Sequence, residues 1–195
     1  MNYFESSVRV PLLVYHPREF QPHRVKENVS TVDILPTMCD LIGIKPFAGL
    51  PMDGLSLLPH LQGTGGHDKV YGEYTGEGTI SPLMMIKEGP WKYIYCPSDG
   101  TQLYNLEKDP LELVNLAKKK VEIDEETMSK LRAFENEREG LWSFEDITKD
   151  VLHSQRKRRL VWSALRKGKF ASWDFNPTDD GTTKYGDWLH QIPYR

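Results

Sequence analysis

The chain has 195 residues, of which 38% are hydrophobic and 27% charged, so it has enough apolar content to form a folded core. Its 25 Lys and Arg against 28 Asp and Glu give a net charge of −3, which excludes nucleic-acid binding through bulk positive charge. The two cysteines are too few for a disulfide framework. No secretory signal and no apolar stretch of membrane-spanning length is recognisable, so a cytoplasmic protein is expected.

The N-terminal part resembles the end of an α/β sheet. Ser7 to Tyr15 is a Val- and Leu-rich run, which predicts a strand buried on both faces. Ser30 to Ile44 predicts a helix, with Ser30 or Thr31 as its N-cap and Gly43 as its stop. One strand and one helix are not a domain, so we expect them to be the last pieces of a sheet whose other strands are missing.

The middle of the chain has a different sequence pattern. Four short β-prone runs separated by Gly-containing turns predict an antiparallel meander: Val70–Tyr74, Leu83–Lys87, Trp91–Cys96 and Gln102–Asn105. Two helices are predicted after it, over Thr127–Glu139 and from Phe144 to about Gly168. The aromatic tail from Lys169 is expected to pack on something else. The predicted segments are therefore 1–66, 67–140 and 141–195.

Few residues are candidates for chemistry. Cys96-Pro97-Ser98-Asp99-Gly100 lies where a strand meets a turn, with no helix start behind it, so a turn is favoured over a cysteine nucleophile. Cys39 lies on the apolar side of a helix and is expected to be a small core residue. The six histidines are scattered without ligand spacing. We therefore expect no catalytic and no metal-binding residue in this chain.

A carboxylate at a predicted loop tip is the main candidate for ligand binding. Gly76-Glu77-Gly78 allows a sharp bend and follows Tyr71, Glu73 and Tyr74. A carboxylate beside aromatic rings suits a quaternary ammonium group, which has no ordinary N–H bonds to donate. The alternative is a solvated acidic hairpin turn, and the pattern by itself favours that alternative.

A basic run is the second candidate. Residues 153–169 contain seven Lys or Arg and no acidic residue. Such a run could bind nucleic acid or an acidic surface. A helix face paired with the acidic stretch 105–150 is favoured instead, because Trp162 and Leu165 are interleaved at packing spacing.

Several segments resemble the sulfatases. Glu5–Leu12, followed by Ser30–Thr37, is similar to the later part of the sulfatase catalytic domain. Gln102–Pro110, ending in Asn115-Leu116-Ala117, looks like the C-terminal sulfatase motif. Together these segments identify the chain as similar to the C-terminal portion of a sulfatase.

Two further segments narrow the resemblance to the choline sulfatases. They are Gly72–Pro82, and Asp150–Arg156 with Trp173-Asp174-Phe175. The resemblance implies an α/β fold in which this chain supplies the terminal strand and helix of a sulfatase-type sheet, a small antiparallel β subdomain and C-terminal helices. The implied reaction is hydrolysis of choline O-sulfate to choline and sulfate.

The resemblance also implies site residues, cofactors and partners. By its position in the motif, Glu77 matches a carboxylate that faces the choline trimethylammonium group, and Asp187 is a candidate for a tail acid near the same pocket. In the family, formylglycine, a divalent metal (Ca²⁺ or Mn²⁺) and a sulfate-binding Lys act in catalysis. All of them lie before the segment matching Met1, so this chain is expected to bind no cofactor and to be inactive alone.

Expected partners are the N-terminal sulfatase portion or further copies of the chain, with no membrane and no nucleic acid. Two other functions stay open. One is a non-enzymatic assembly or oligomerisation piece, and the other is an anionic-surface or nucleic-acid binder that uses residues 153–169.

Overall fold

The computed structural model of the chain describes residues 2–45, 51–76, 79, 81–118 and 122–167. In chain order, the elements are α1 (Glu5–Val8), a 3₁₀ turn (Thr31–Asp33) that leads into α2 (Ile34–Ile42), α3 (Leu58–Leu61), β1 (Lys69–Tyr74), β2 (Leu83–Glu88), β3 (Trp91–Cys96), β4 (Gly100–Asn105), α4 (Glu125–Leu141) and α5 (Phe144–Lys167). The chain divides into two units, Met1–Phe144 and Glu145–Arg195. The boundary near residue 66 stays a prediction.

The four strands form one antiparallel sheet in the order β1-β2-β3-β4. The mixed α/β fold with a small antiparallel meander is therefore confirmed. The turn at Cys96–Gly100 is also confirmed, because Asp99 N–H donates to the Cys96 carbonyl at 3.1 Å. Gly100 closes this turn with φ +79°, a backbone conformation that favours glycine.

Helix α4 covers one face of the sheet. Its Phe134 ring lies 5.8 Å from the ring of Tyr93 in β3. Tyr93 is paired across the sheet with Ile86 and Leu103, and directly opposed side chains share a face. All four side chains are buried, so they form the core between α4 and the sheet.

The opposite face of the sheet packs against the N-terminal residues. Its buried cluster consists of Leu83, Met85, Ile94, Cys96 and Tyr104. Tyr3, Phe4 and Val8 pack on this cluster, and the Phe4 ring meets the Tyr104 ring edge-on at 6.0 Å. The sheet is therefore covered on both sides, which explains why β2 and β3 are apolar at successive positions.

The strand predicted over Ser7–Tyr15 is wrong. Ser7 and Val8 belong to α1, and residues 9–16 form no strand. Leu13 is 85% and Tyr15 80% exposed. A strand needs a hydrogen-bonded neighbour, and the four strands of the described sheet pair only with one another. The β propensity of this run is therefore not realised.

The helix predicted over residues 30–44 is confirmed. Ser30 and Asp33 form a reciprocal capping box, in which Ser30 N–H donates to Asp33 Oδ2 at 2.7 Å. Gly43 ends α2 in the left-handed conformation, with φ +69°. The apolar side of α2 is largely exposed, including Leu35 and Ile42, and Cys39 is only half-buried rather than in a core.

Both predicted C-terminal helices are confirmed. Helix α4 begins at an N-cap, Asp124, whose side chain accepts the Thr127 N–H at 2.8 Å. Helix α5 carries an exposed i,i+4 ion pair between Glu145 and Lys149. Within the described ranges, none of the helices is both long and apolar enough to cross a membrane.

Candidate functional site

The β1–β2 connection carries the predicted ligand-binding carboxylate. Tyr74, the last residue of β1, pairs with Leu83, the first residue of β2, so the connection spans residues 75–82. Glu77 lies within it but outside the described residues, as does Asp187 in the C-terminal tail. The structure describes the base of the connection, at Gly76 and Thr79.

The base of this connection is held by two contacts. The Thr79 hydroxyl donates to the Gly76 carbonyl at 3.1 Å. A Cβ atom at position 76 would lie 3.2 Å from Cζ and Oη of Tyr74, so this ring rests against the Gly76 backbone. Because residue 76 is glycine, the Tyr74 ring can lie against the backbone directly before Glu77.

Tyr71 and Tyr74, the tyrosines that precede Glu77, lie on opposite faces of β1, since strand side chains alternate. Tyr74 packs on the face that also binds Tyr3 and Phe4. Tyr71 lies on the face of α4, where its hydroxyl donates to Glu137 Oε1 at 2.6 Å. The structure therefore separates this pair, and Tyr74 is the one next to the base of the connection.

Tyr71 and Glu73 anchor β1 to α4. The Trp142 indole N–H donates to Glu73 Oε1 at 2.5 Å, and the Trp142 ring lies edge-on to Tyr71 at 6.3 Å. Burial and the hydrogen bond to Glu137 raise the pKa of Tyr71 to about 12. Its phenol therefore stays protonated at neutral pH and is not a general base.

A buried ion cluster lies on the other face of the sheet, and sequence reasoning missed it. The Lys92 side chain is 0% exposed, and its ammonium group donates to Glu112 Oε1 at 2.8 Å and to the Tyr3 carbonyl at 2.9 Å. It also pairs with Glu5 Oε1 at 2.6 Å. The one signal for this cluster in the sequence was Lys92, a charged residue at an inward position of an otherwise apolar strand.

The ion cluster joins four separate parts of the chain. The second oxygen of Glu112 accepts the Glu5 N–H at 2.6 Å, and Lys87 pairs with Glu5 at 2.9 Å. Burial alone would raise the pKa of Glu5, but hydrogen bonds from Lys92 and Lys87 hold it below its usual value. The cluster fixes α1 and Glu112 to β2 and β3, and the pairing of every charged group in it indicates a structural role.

Three of the six histidines also come together, which their spacing did not predict. The rings of His60 and His67 meet edge-on at 5.1 Å, and His67 Nε2 donates to Asp33 Oδ2 at 3.1 Å. His23 Nε2 lies 2.7 Å from the His60 carbonyl oxygen. Across the described part of the chain, no group of three or more His, Cys, Asp or Glu is arranged to hold a metal ion.

Comparison with protein families gives two matches along the chain. The model described as "N-sulphoglucosamine sulphohydrolase, C-terminal" matches residues 2–137. The model described as "Choline sulfatase enzyme C terminal" matches residues 149–185. The general sulfatase match precedes the choline-sulfatase match along the chain, and both agree with the motifs found in the sequence.

Two curated relatives agree with these families. The choline-sulfatase of Rhizobium meliloti (strain 1021) is 39% identical over 187 residues, which are 95% of this chain and 36% of that protein. Arylsulfatase K of Rattus norvegicus is 36% identical over 175 residues, with 83% of this chain and 29% of that protein covered. The phosphonate monoester hydrolase of Agrobacterium radiobacter is 25% identical over 60% of this chain and 25% of that chain, with a TM-score of 0.48. The chain thus spans 36% and 29% of the two curated relatives.

Proposed function

The chain belongs to the sulfatase family, and we propose that it is the C-terminal part of a choline sulfatase, which hydrolyses choline O-sulfate to choline and sulfate. The observation that carries this proposal is the 39% identity to a bacterial choline-sulfatase over 95% of the chain. The separate choline-sulfatase match at residues 149–185 supports it from a segment outside the general sulfatase match.

In this proposal the chain binds and orients the choline end of the substrate. Glu77 faces the trimethylammonium group, to which it is attracted by about 3–4 kcal/mol at 4–5 Å and an effective dielectric constant near 20. Tyr74, whose ring rests on Gly76, fixes the base of the connection that carries this carboxylate. A fixed base reduces the entropy that is lost when the ligand binds.

The sulfate chemistry is proposed to come from another part of the enzyme. The family implies formylglycine and a divalent metal, Ca²⁺ or Mn²⁺, at the sulfur. The donor groups of the described residues do not fit such a metal, because they form no cluster of three or more ligating side chains. No catalytic step is therefore assigned to this chain, and Asp187 stays a candidate for a tail acid near the choline.

A chimaera tests the proposed function. This chain would replace the corresponding C-terminal 36% of the Rhizobium meliloti choline-sulfatase. Hydrolysis of choline O-sulfate by the chimaera, within about tenfold of the parent kcat/KM, is expected because the two sequences align over nearly the whole chain. Hydrolysis of 4-nitrophenyl sulfate with no hydrolysis of choline O-sulfate would contradict the proposed substrate.

In the same chimaera, Glu77→Gln is expected to lower kcat/KM for choline O-sulfate by about tenfold to a hundredfold, since the amide keeps the shape but loses the charge. The rate for 4-nitrophenyl sulfate, which has no cation, should hardly change. Glu73→Gln is the matched control, because Glu73 lies in β1, which leads into this connection, and it bonds to Trp142. Equal losses for both substrates in Glu77→Gln would identify residue 77 as a structural turn residue.

We also propose a partner, the N-terminal sulfatase portion, because apolar side chains are exposed in two segments. They are Val10, Leu12, Leu13, Val14 and Tyr15 after α1, and Val32, Ile34, Leu35, Met38, Leu41 and Ile42 in and before α2. Exposed apolar groups in such number are typical of a surface that another element covers.

Co-expression checks this partner. We expect the chain produced alone to aggregate, and co-expression with the N-terminal part of the sulfatase to raise its soluble yield several-fold. The paired substitution Leu35→Ser and Ile42→Ser is expected to raise the solubility of the isolated chain and to weaken complex formation. A cooperative, monomeric melt of the unmodified chain alone would instead favour an independent assembly module.

A further inference from the structure

The Tyr3 ring fills a gap that a glycine leaves in β1. Val70, Gly72 and Tyr74 face the same side of the sheet, because strand side chains alternate, and Gly72 has no side chain to place there. A Cβ atom at position 72 would lie 2.8 Å from Cε1 and 3.0 Å from Cζ of Tyr3. Tyr3 packs on the cluster that contains Met85, the residue paired with Gly72 across β1 and β2. Tyr3 therefore occupies the place of the missing side chain, next to Tyr74 on the same face.

The Tyr3 ring is held there from its backbone. The Tyr3 carbonyl accepts a hydrogen bond from the Lys92 ammonium group at 2.9 Å, and Lys92 is bound to Glu112 in turn. Phe4, the next residue, packs edge-on against Tyr104 in β4. Contacts with β3 and β4 thus fix the segment that places the Tyr3 ring over Gly72.

The Tyr3 phenol is a neutral neighbour of Tyr74. Burial, then the charge of Glu73 and then Tyr74, raise the pKa of Tyr3 well above its usual value. The phenol therefore stays protonated at neutral pH and adds no negative charge beside Glu73. Its part on this face is that of an apolar ring that packs.

We propose that Tyr3 is a positioning residue for the choline site, which supports Tyr74 and through it the backbone at Gly76, directly before Glu77. Two glycines make this arrangement possible, since Gly72 admits the Tyr3 ring and Gly76 admits the Tyr74 ring. The inference rests on the proposed function, in which Glu77 faces the trimethylammonium group. Tyr3 itself does not touch the substrate, so its loss should weaken binding of the cation and leave the sulfate chemistry unchanged.

Substitutions in the chimaera described above test this role. Tyr3→Ala is expected to raise KM for choline O-sulfate about fivefold to thirtyfold, with kcat and the rate for 4-nitrophenyl sulfate changed less than about twofold, because a misplaced Glu77 loses binding of the cation. Tyr3→Phe keeps the ring and should behave as the unmodified chimaera. Gly72→Ala adds a methyl group where the Tyr3 ring lies, so it should cause the same selective loss without removing the ring.

A double substitution shows whether Tyr3 acts through Glu77. In the Glu77→Gln background, Tyr3→Ala should raise KM for choline O-sulfate by less than about twofold further, because two residues that act as one unit are not additive. Phe4→Ala is the matched control in the same segment, and it should lower stability without changing the ratio of kcat/KM for the two substrates. The inference is wrong if neither Tyr3→Ala nor Gly72→Ala changes this ratio, or if Tyr3→Ala has its full effect without Glu77.

A readout without choline separates this inference from the proposed function. A glutamate-specific protease should cleave the chimaera after Glu77 about threefold to tenfold faster in Tyr3→Ala than in Tyr3→Phe, with rates normalised to an unstructured peptide. If the unmodified chimaera hydrolyses only 4-nitrophenyl sulfate, the proposed substrate is wrong, whereas faster cleavage in Tyr3→Ala still supports the positioning of the connection by Tyr3. Equal cleavage in Tyr3→Ala and Tyr3→Phe would overturn that positioning.

Discussion

Replacing Lys92 by Met is expected to lower the free energy of unfolding by about 3–5 kcal/mol, because it leaves the buried carboxylate of Glu112 without its cation and Glu5 with Lys87 alone. The Lys92 side chain is fully buried, whereas Lys130, which pairs with Glu88, is partly exposed. Lys130→Met is the matched control and should cost about 0–1 kcal/mol. Urea unfolding followed by tryptophan fluorescence measures both, in the soluble background that carries Leu35→Ser and Ile42→Ser.

A second substitution separates the charge from the packing. Adding Glu112→Gln to Lys92→Met removes one uncompensated negative charge and should restore part of the lost stability, since unpaired buried charges carry most of the penalty. Equal losses of unfolding free energy for Lys92→Met and Lys130→Met would show that the buried ion cluster contributes little to stability. A double-mutant cycle over Lys92 and Glu112 gives their coupling energy.

Phe134→Ala is expected to cost about 3–5 kcal/mol, the range for removal of a buried aromatic side chain. Phe134 is 1% exposed and packs on Tyr93 in the centre of the sheet. The matched control is Met128→Ala on the same helix, where the side chain is 37% exposed and the expected loss is below about 1 kcal/mol. A loss for Phe134→Ala no larger than that of the control would mean that α4 is not held by this face.

The regular elements were predictable from sequence because each is specified locally. Short β-prone runs separated by turns that contain glycine indicated all four strands, and the predicted bounds of β3 agree with the structure. Capping also acts over a few residues, so Ser30 and Gly43 were recognisable as the two ends of the α2 region. Local patterns sufficed wherever a residue's partner lies within one turn or one hairpin.

The failures all involve partners that are distant in sequence. Ser7–Tyr15 has strand composition, but composition does not supply a neighbouring strand, and α1 forms there instead. The Lys92 cluster and the contact of His23 with His60 join residues far apart in the chain. For the candidate site, the motif indicated Glu77, but the hydrogen bond of Tyr71 to Glu137 in α4 joins residues far apart in the chain.

The packing of the N-terminal residues on the sheet has a consequence for the order of folding. Each strand pairs with its neighbour in sequence, so the meander closes through short loops, whereas the Tyr3–Lys92 and Glu5–Glu112 bonds close loops of 89 and 107 residues. Long loops cost more entropy to close and form late. During synthesis, residues 3–8 leave the ribosome well before residue 112 and find their complete binding surface only after residue 112 has emerged. Until then Tyr3, Phe4 and Val8 are open to chaperones, and at roughly 5–20 residues per second that interval is about 5–20 s.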